Sequence, residues 1–460
     1  MASHDVEELF ESLPEQAAPE RASRCRPRLR IAERRQVELR AVTLDDLVPD
    51  DHRVRLVWRF VEELDLTALH ATIKAVEGQP GHPPPDPRIL VALWLFATIE
   101  GIGSAREVAR LCQEHIAYQW RCGGVGMNAK TLGDFRIAHC AVLERLLVDS
   151  FTALIQAGVA SLERVAQDGV RVRAAAGAAS FRRRSTLQEC RDQAAETVRR
   201  LHVEAEKDPA ASHRRQAAAR RRAAEDRERR VRDALAVAEA LQAQQQDRAR
   251  QEAERAATAE KTSAATTPRK EPEKEPRAST TDAEARIMKM ADGGFRPAFN
   301  VQFASDTQSY AIAGGSVDNV GSDMGKMTPM NEILATDYGQ RPEPYLADGG
   351  YAKLDDIEAL AGIGIESYVP VPKPRDATRD RYAPLPSEPP GVAAWRERMG
   401  CDAAKAIYKE RAATAECANA QARNRGLKQF VVRGLEKVKA IALWYALAHN
   451  MACTWRLVEA

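Results

Sequence analysis

No CxxC or other tight cysteine pair occurs in the 460 residues; Cys25, Cys112, Cys122, Cys140, Cys190, Cys401, Cys417 and Cys453 are scattered singly. That spacing argues against a zinc site and against a disulfide framework in so large a chain, and the expectation is reduced thiols in a cytosolic protein. Long apolar runs are also missing. The longest, residues 89–99, is too short to span a bilayer, and the N-terminus is acidic where a secretory signal would be basic and then apolar. A soluble, cytoplasmic chain with no membrane partner is therefore expected. Nor does charge of one sign dominate: 68 Lys and Arg face 66 Asp and Glu, a net of +2, so a nucleic-acid footprint has to come from local segregation of charge. What is present is enough apolar material, 44%, to fill cores in two or three domains.

Residues 1–40 are polar, are broken by Pro14, Pro19 and Pro27, and read as a disordered tail. From 41 to 158 the pattern is helical. Val54, Val57, Trp58, Val61 and Leu64 recur at three- and four-residue spacing, and Asp86-Pro87 gives an N-cap followed by proline at the first helical position of the apolar stretch 89–99. Ser104 with Glu107, and Thr131 with Asp134, read as helix starts, the second helix continuing through Phe135, Leu143 and Leu147. Trp94, Phe96, Trp120 and Phe135 are assigned to the core. Several short helices around one core suit a DNA-end-binding module, although small helical domains do many things.

The period changes over residues 162–175, where Val165, Asp168, Val170 and Val172 suit a strand. Residues 181–251 then form a charged, alanine-rich helical stretch; within 181–230 there are 15 Lys and Arg against 9 Asp and Glu. The arginine clusters suit either a solvated helical hairpin with internal ion pairs or a DNA-backbone contact. Residues 262–281 are proline-rich, charged and aperiodic, and are expected to be disordered. Beyond them, order returns at residue 285. Strands are expected at 297–304 and 310–317, a helix at 323–338, a strand ending in Asp348, a helix at 354–360 and a strand at 367–371. A proline-rich linker at 372–390 precedes helices from 403 and 438.

Three carboxylates stand out. Asp168 and Asp348 each follow a short apolar strand pattern and precede glycine, which places them at the sheet rim where open α/β folds put ligands; Asp-Gly-Gly is also an ordinary turn. Glu416 lies on a late helix. Three acids of this kind could hold two Mg²⁺ about 4 Å apart, which would activate the attacking oxygen and stabilise the leaving one in phosphoryl transfer.

The ordered words Pro49-Asp50-Asp51-His52, 101–106 (GIGSAR), 131–136 (TLGDFR), Gln167-Asp168-Gly169, Phe299-Asn300-Val301-Gln302, Ala347-Asp348-Gly349-Gly350-Tyr351 and 432–438 (VRGLEKV) resemble the DDE transposases of bacterial insertion sequences. The resemblance covers roughly residues 42–455. It lies in the broad IS4/IS5 assemblage and is greatest to the IS1182 group. The family's last acid lies in a Y-x2-R-x3-E-x6-K helix. Here Tyr408 and Arg411 keep the first spacing, Glu416 follows Arg411 after four residues instead of three, and Arg423 stands where lysine is usual. Glu410 is the nearest rival for the third acid.

The resemblance implies Asp168, Asp348 and Glu416 as catalytic metal ligands for Mg²⁺, with Mn²⁺ able to substitute. It implies Tyr408, Arg411, Arg423 and Arg433 as DNA-binding residues. The implied activity is metal-dependent cleavage and strand transfer at the terminal inverted repeats of an insertion sequence, by a homodimer or higher assembly on double-stranded DNA in the nucleoid. The implied fold is α/β: a ribonuclease-H-like mixed sheet with a helical insertion after its first strand, preceded by an all-helical N-terminal domain. The expected boundaries are a tail at 1–40, the helical DNA-binding domain at 41–158, the first part of the catalytic domain at 159–178, the insertion and linker at 179–284, and the rest of the catalytic domain at 285–460. A non-catalytic DNA-binding descendant or another nuclease with this sheet are the alternatives.

Overall fold

The computed structural model describes residues 41–207, 214–259 and 275–458, apart from residues 77, 79, 80, 375 and 377. The expected tail at 1–40 lies outside the described residues, and the fold below is that of the described residues from Leu44 onward.

The first half is built from α1 (Arg53–Glu62), a single turn α2 (Thr67–His70), α3 (Pro87–Ile99), α4 (Ala105–Glu114), α5 (Ile116–Cys122), α6 (Ala129–Ala138) and α7 (Cys140–Gln156). Asp86 starts α3 by accepting a hydrogen bond from the Arg88 amide at 2.8 Å, with Pro87 at the first helical position. Because α3 is apolar on every face it is buried along nearly its whole length and becomes the hub of the bundle. Trp94, Phe96 and Phe135 are core residues, as expected, whereas Trp120 is half-buried and donates to Asp45 at 2.9 Å. One helix start differs from expectation. Asn128, not Thr131, caps α6 by accepting from the Thr131 amide at 2.9 Å, and the helix breaks at His139 before α7.

The second half supplies the sheet. Its strands are β1 (Val165–Arg173), β2 (Phe181–Arg182), β3 (Ala278–Ser279), β4 (Arg286–Lys289), β5 (Phe295–Asp306), β6 (Ile312–Asp318), β7 (Pro344–Leu346) and β8 (Glu366–Tyr368). Helices α8 (Arg184–Lys207) and α9 (Arg214–Ala259) form the insertion, followed in the chain by α10 (Met327–Tyr338), α11 (Leu354–Gly362), α12 (Pro390–Gly400), α13 (Asp402–Asn424) and α14 (Leu435–Val458). The main sheet runs β4-β5-β1-β7-β8, with β6 also paired to β5. The β1–β5 and β5–β6 pairs are antiparallel; β1–β7 and β7–β8 are parallel. β5 is buried from Pro297 to its end, as a strand covered on both faces should be.

The boundary expected near residue 158 is a change of secondary structure and not a break in the core. α14 packs on α3, α6, α7 and β6, and Trp444 donates to the Arg136 carbonyl at 2.9 Å. Two further expectations are corrected. Residues 278–279, assigned to a disordered linker, pair with β2 because Ala278 and Ser279 are buried beside α9; residues 260–274 lie outside the described residues. The helix expected from residue 323 begins at Met327, where Asp356 accepts from the Met327 and Thr328 amides.

Candidate active site

The topology itself brings two acids together. In the parallel pairing of β1 with β7, Ala166 stands opposite Leu346, and each strand delivers an aspartate two residues further on: Asp168 and Asp348. β1 continues past this point in its antiparallel pairing with β5, where Asp168 is opposite Phe303. β7 instead ends, and Asp348 accepts from the Gly350 amide at 2.7 Å to open a tight turn through Tyr351.

The third element is α13, which packs across β1 and β5. It contributes Asn419, whose amide donates to Asp168 Oδ2 at 3.0 Å, and Arg411, whose guanidinium meets all three sequence-identified acids. Arg411 Nη2 lies 3.6 Å from Asp168 and 3.9 Å from Asp348, and Nη1 lies 3.5 Å from Glu416. Asp168 is only 18% exposed, and burial pushes its carboxyl above the ordinary aspartate range, against the opposing pull of Arg411 and Asn419. Glu416 is 64% exposed and looks outward from the helix. The family spacing would put the acid at 415, which here is a buried alanine. Glu410 is engaged elsewhere, with Arg164 at 2.5 Å, at the other end of β1.

A cavity of about 560 Å³ opens beside these groups, lined by Asp168, Asp348 and Asp323 and by Arg171, Arg173, Arg296, Arg423 and Lys428. Of the cationic residues expected to touch DNA, Arg423 lines this cavity and Arg411 stands among the acids; Tyr408, half-buried on α13, has its hydroxyl pushed up by burial against the pull of Arg411. Arg433 is not among the lining residues; it is exposed and close to Arg230 of α9. Among the described residues no three acidic, histidine or cysteine side chains are close enough together to share one ion.

Sequence reasoning missed Asp323, Asn419, Arg171 and Lys428. Asp323 was assigned to a helix, whereas Gly321 and Gly325 around it mark the loop in which it stands. Asn300 and Gln302 are amides two apart within the otherwise apolar stretch 297–304, which is the signal of a shared polar face.

Two family models match the chain. Residues 42–137, taking in α1 through nearly all of α6, match "Transposase domain (DUF772)", and residues 391–455, covering α12, α13 and most of α14, match "Transposase DDE domain". Arg411, Glu416, Asn419 and Arg423 fall within the second segment; Asp168, Asp323 and Asp348 lie in neither. No curated protein and no solved structure matches the chain. Among the described residues no helix is long and apolar enough to cross a membrane.

Proposed function

We propose that this chain, a DNA transposase of the DDE type, cuts and joins DNA at the terminal inverted repeats of its own insertion sequence using Asp168, Asp348 and Glu416 as its acidic triad. The observation that carries the reading is the convergence of the three carboxylates on the Arg411 guanidinium, within 3.5–3.9 Å. A ribonuclease-H-like sheet is supported by the strand order β6-β5-β1-β7-β8, with its first three strands antiparallel and its last pairs parallel. The sequence words favour an element nearest the IS1182 group of the IS4/IS5 assemblage.

DDE domains use divalent metals, and the donor types here suit Mg²⁺: carboxylate oxygens, hard ligands for a hard ion, with the buried, unpartnered Oδ1 of Asn419 beside Asp168. With Arg411 between them the three acids are not close enough together to share one ion, so an ion would have to draw them in as it takes the place of the guanidinium. Bound there, Mg²⁺ would supply Lewis-acid stabilisation of charge at phosphorus and its attacking and leaving oxygens. Three carboxylates against one guanidinium leave the cluster formally two charges negative, the charge a divalent ion balances. Arg411 already meets the same oxygens, so guanidinium and ion compete for them. Asp168 and Asp348, held by Asn419 and by the Gly350 amide, fix the sheet side of the site. Arg423, Lys428, Arg171 and Arg173 line the approach, where they would neutralise backbone phosphates. No side chain need become a covalent nucleophile: water, then a DNA 3′-hydroxyl, attacks phosphorus.

The helical first half binds the element's ends, the protein acts as a dimer or larger assembly on DNA, and it resides with the nucleoid in the cytoplasm. Mg²⁺-dependent cleavage of a duplex carrying the inverted repeat that flanks the gene tests this reading. Binding without cleavage in Mg²⁺ and in Mn²⁺ would favour a DNA-binding descendant that has lost its chemistry.

A further inference from the structure

Strand periodicity puts Asn300 and Gln302 on one face of β5, opposite Arg171 and Gly169 of β1. Both amides are fully buried, an arrangement that costs free energy unless their donors are met. Both meet the same carboxylate, and Asn300 Nδ2 also donates to the Val320 carbonyl at 3.2 Å. Asn300 Nδ2 and Gln302 Nε2 donate to Asp323 Oδ1 at 2.7 and 2.8 Å, and Arg171 Nη2 lies 3.2 Å from Asp323 Oδ2. Gly169 makes room for this. A Cβ there would stand 2.4 Å from Gln302 Nε2 and 2.5 Å from Asp323 Oδ1.

An ionised carboxylate only accepts, so Asp323 dictates which end of the Gln302 amide faces it. Nε2 must point toward Asp323, and Oε1 is thereby turned the other way. There it accepts from Gln167 Nε2 at 2.9 Å and from the Tyr351 hydroxyl. Gln167 immediately precedes Asp168, and its own Oε1 accepts from the Tyr345 hydroxyl at 2.7 Å. Tyr351 closes the turn after Asp348, its amide donating to the Asp348 carbonyl at 3.1 Å. One acceptor on a loop is thus connected, through a single oriented amide, to both chain segments that carry the aspartates.

We propose that Asp323 is a positioning residue of this site, which fixes the orientation of Gln302 and thereby braces the Gln167-Asp168 strand and the Asp348–Tyr351 turn against each other. The role rests on the reading of Asp168 and Asp348 as metal ligands. Without an acceptor at 323 the Gln302 amide is free to turn over, and the Tyr351 hydroxyl then meets a donor instead of an acceptor.

The test uses the full chain and the variants Asp323→Leu, Tyr351→Phe and their combination. Mn²⁺ affinity is measured by EPR titration, alongside melting temperature and hydrogen exchange of residues 166–169 and 348–351. Each single variant should weaken Mn²⁺ binding roughly ten- to a hundredfold, the range for losing a partner that orients a ligand. The double variant should be no weaker than the worse single one, because both break the same relay. Exchange should rise in those two segments, and Tyr351→Phe should melt close to the wild type. Wild-type Mn²⁺ affinity in the variants, or losses that simply multiply, would overturn the relay. Should Asp323→Leu not fold, Tyr351→Phe alone decides, since it removes one hydroxyl from the same chain of hydrogen bonds. A wild-type protein that binds no Mn²⁺ would overturn the metal reading instead; in that case unchanged exchange in both segments would overturn the brace as well.

Discussion

Arg411 Nη2 lies 3.6 Å from Asp168 Oδ1, and this ion pair ties the helix within the matched DDE segment to the first strand of the sheet. Arg411 is only 11% exposed, and its Nε is buried without a partner. A buried guanidinium held by carboxylates at 3.5–3.9 Å is a counter-ion, and it has to be exchanged when another cation takes its place.

Replacing Arg411 with Gln should therefore separate stability from metal binding. The metal-free protein should lose about 1–3 kcal/mol, because carboxylates gathered around a guanidinium lose their counter-charge. Mn²⁺ affinity should rise, because nothing then competes for the same oxygens. Calorimetric titration with thermal melts checks both, and weaker Mn²⁺ binding in the variant would show Arg411 to be a helper of the ion and not its rival.

Asp168 makes the fold pH-sensitive in a direction that can be worked out. Burial raises its carboxyl, so the folded chain holds that proton more tightly than the unfolded chain. Stability contributed by this group consequently falls as pH rises from the ordinary aspartate value through the raised one, and stays at the lower level above it. Asp168→Asn removes the deficit. Thermal melts at neutral pH should show a higher melting temperature for the variant, while cleavage is lost; a lower one would mean that the Asn419 and Arg411 interactions outweigh the cost of burial.

Gly169→Ala places a methyl group against Gln302 and Asp323, neither of which can move without giving up a hydrogen bond. The expected cost is about 1–3 kcal/mol, the range for overpacking a filled interior. Chemical denaturation measures it, and a neutral result would mean that the Asn300, Gln302 and Asp323 cluster yields more easily than its hydrogen bonds suggest.

In the insertion, Arg221 is paired with Glu225 and the Arg222 Nε donates to the Ala218 carbonyl, while Arg220 is exposed. If α9 follows DNA phosphates, changing all three to Ala should reduce the slope of log K against log salt, by about 0.9 for each phosphate that is no longer neutralised. An unchanged slope would make the α8–α9 hairpin a spacer.

The parts of the fold legible in the sequence are those where local chemistry and tertiary packing agree. Asp86-Pro87 specified the start of α3, and the β-branched Val165, Val170 and Val172 specified β1. Asp168 and Asp348 could be picked out because each follows an apolar strand pattern and precedes a glycine, although β1 runs on past Asp168 to Arg173. Their equal height in the sheet depends on the register of β1 with β7, which no local pattern encodes. The misses arose where tertiary partners decide. α12 was not expected, since residues 391–402 between the proline-rich linker and the helix from 403 were assigned no element, yet Trp395 is fully buried there and donates to the Val369 carbonyl at 2.9 Å. Asn128 caps α6 three residues before the expected start. Asp323 and Asn419 carry no motif of their own, and their importance appears only once β5, β1 and α13 are packed together.

The most direct test of the acidic triad is Asp348→Asn. The substitution keeps size and can still accept from the Gly350 amide, but it removes the negative charge that faces Arg411 and would face a metal. Gel shift and cleavage should be run on one preparation, with Mg²⁺ and a duplex carrying the inverted repeat that flanks the gene. End-binding should stay close to wild type, since recognition is assigned to the helical first half and to Arg423 and its neighbours. Cleavage should fall by about 10²–10³-fold or more, the scale for losing one electrostatic contributor in the transition state. Cleavage at the wild-type rate in Asp348→Asn would contradict the assignment of this carboxylate to the metal site.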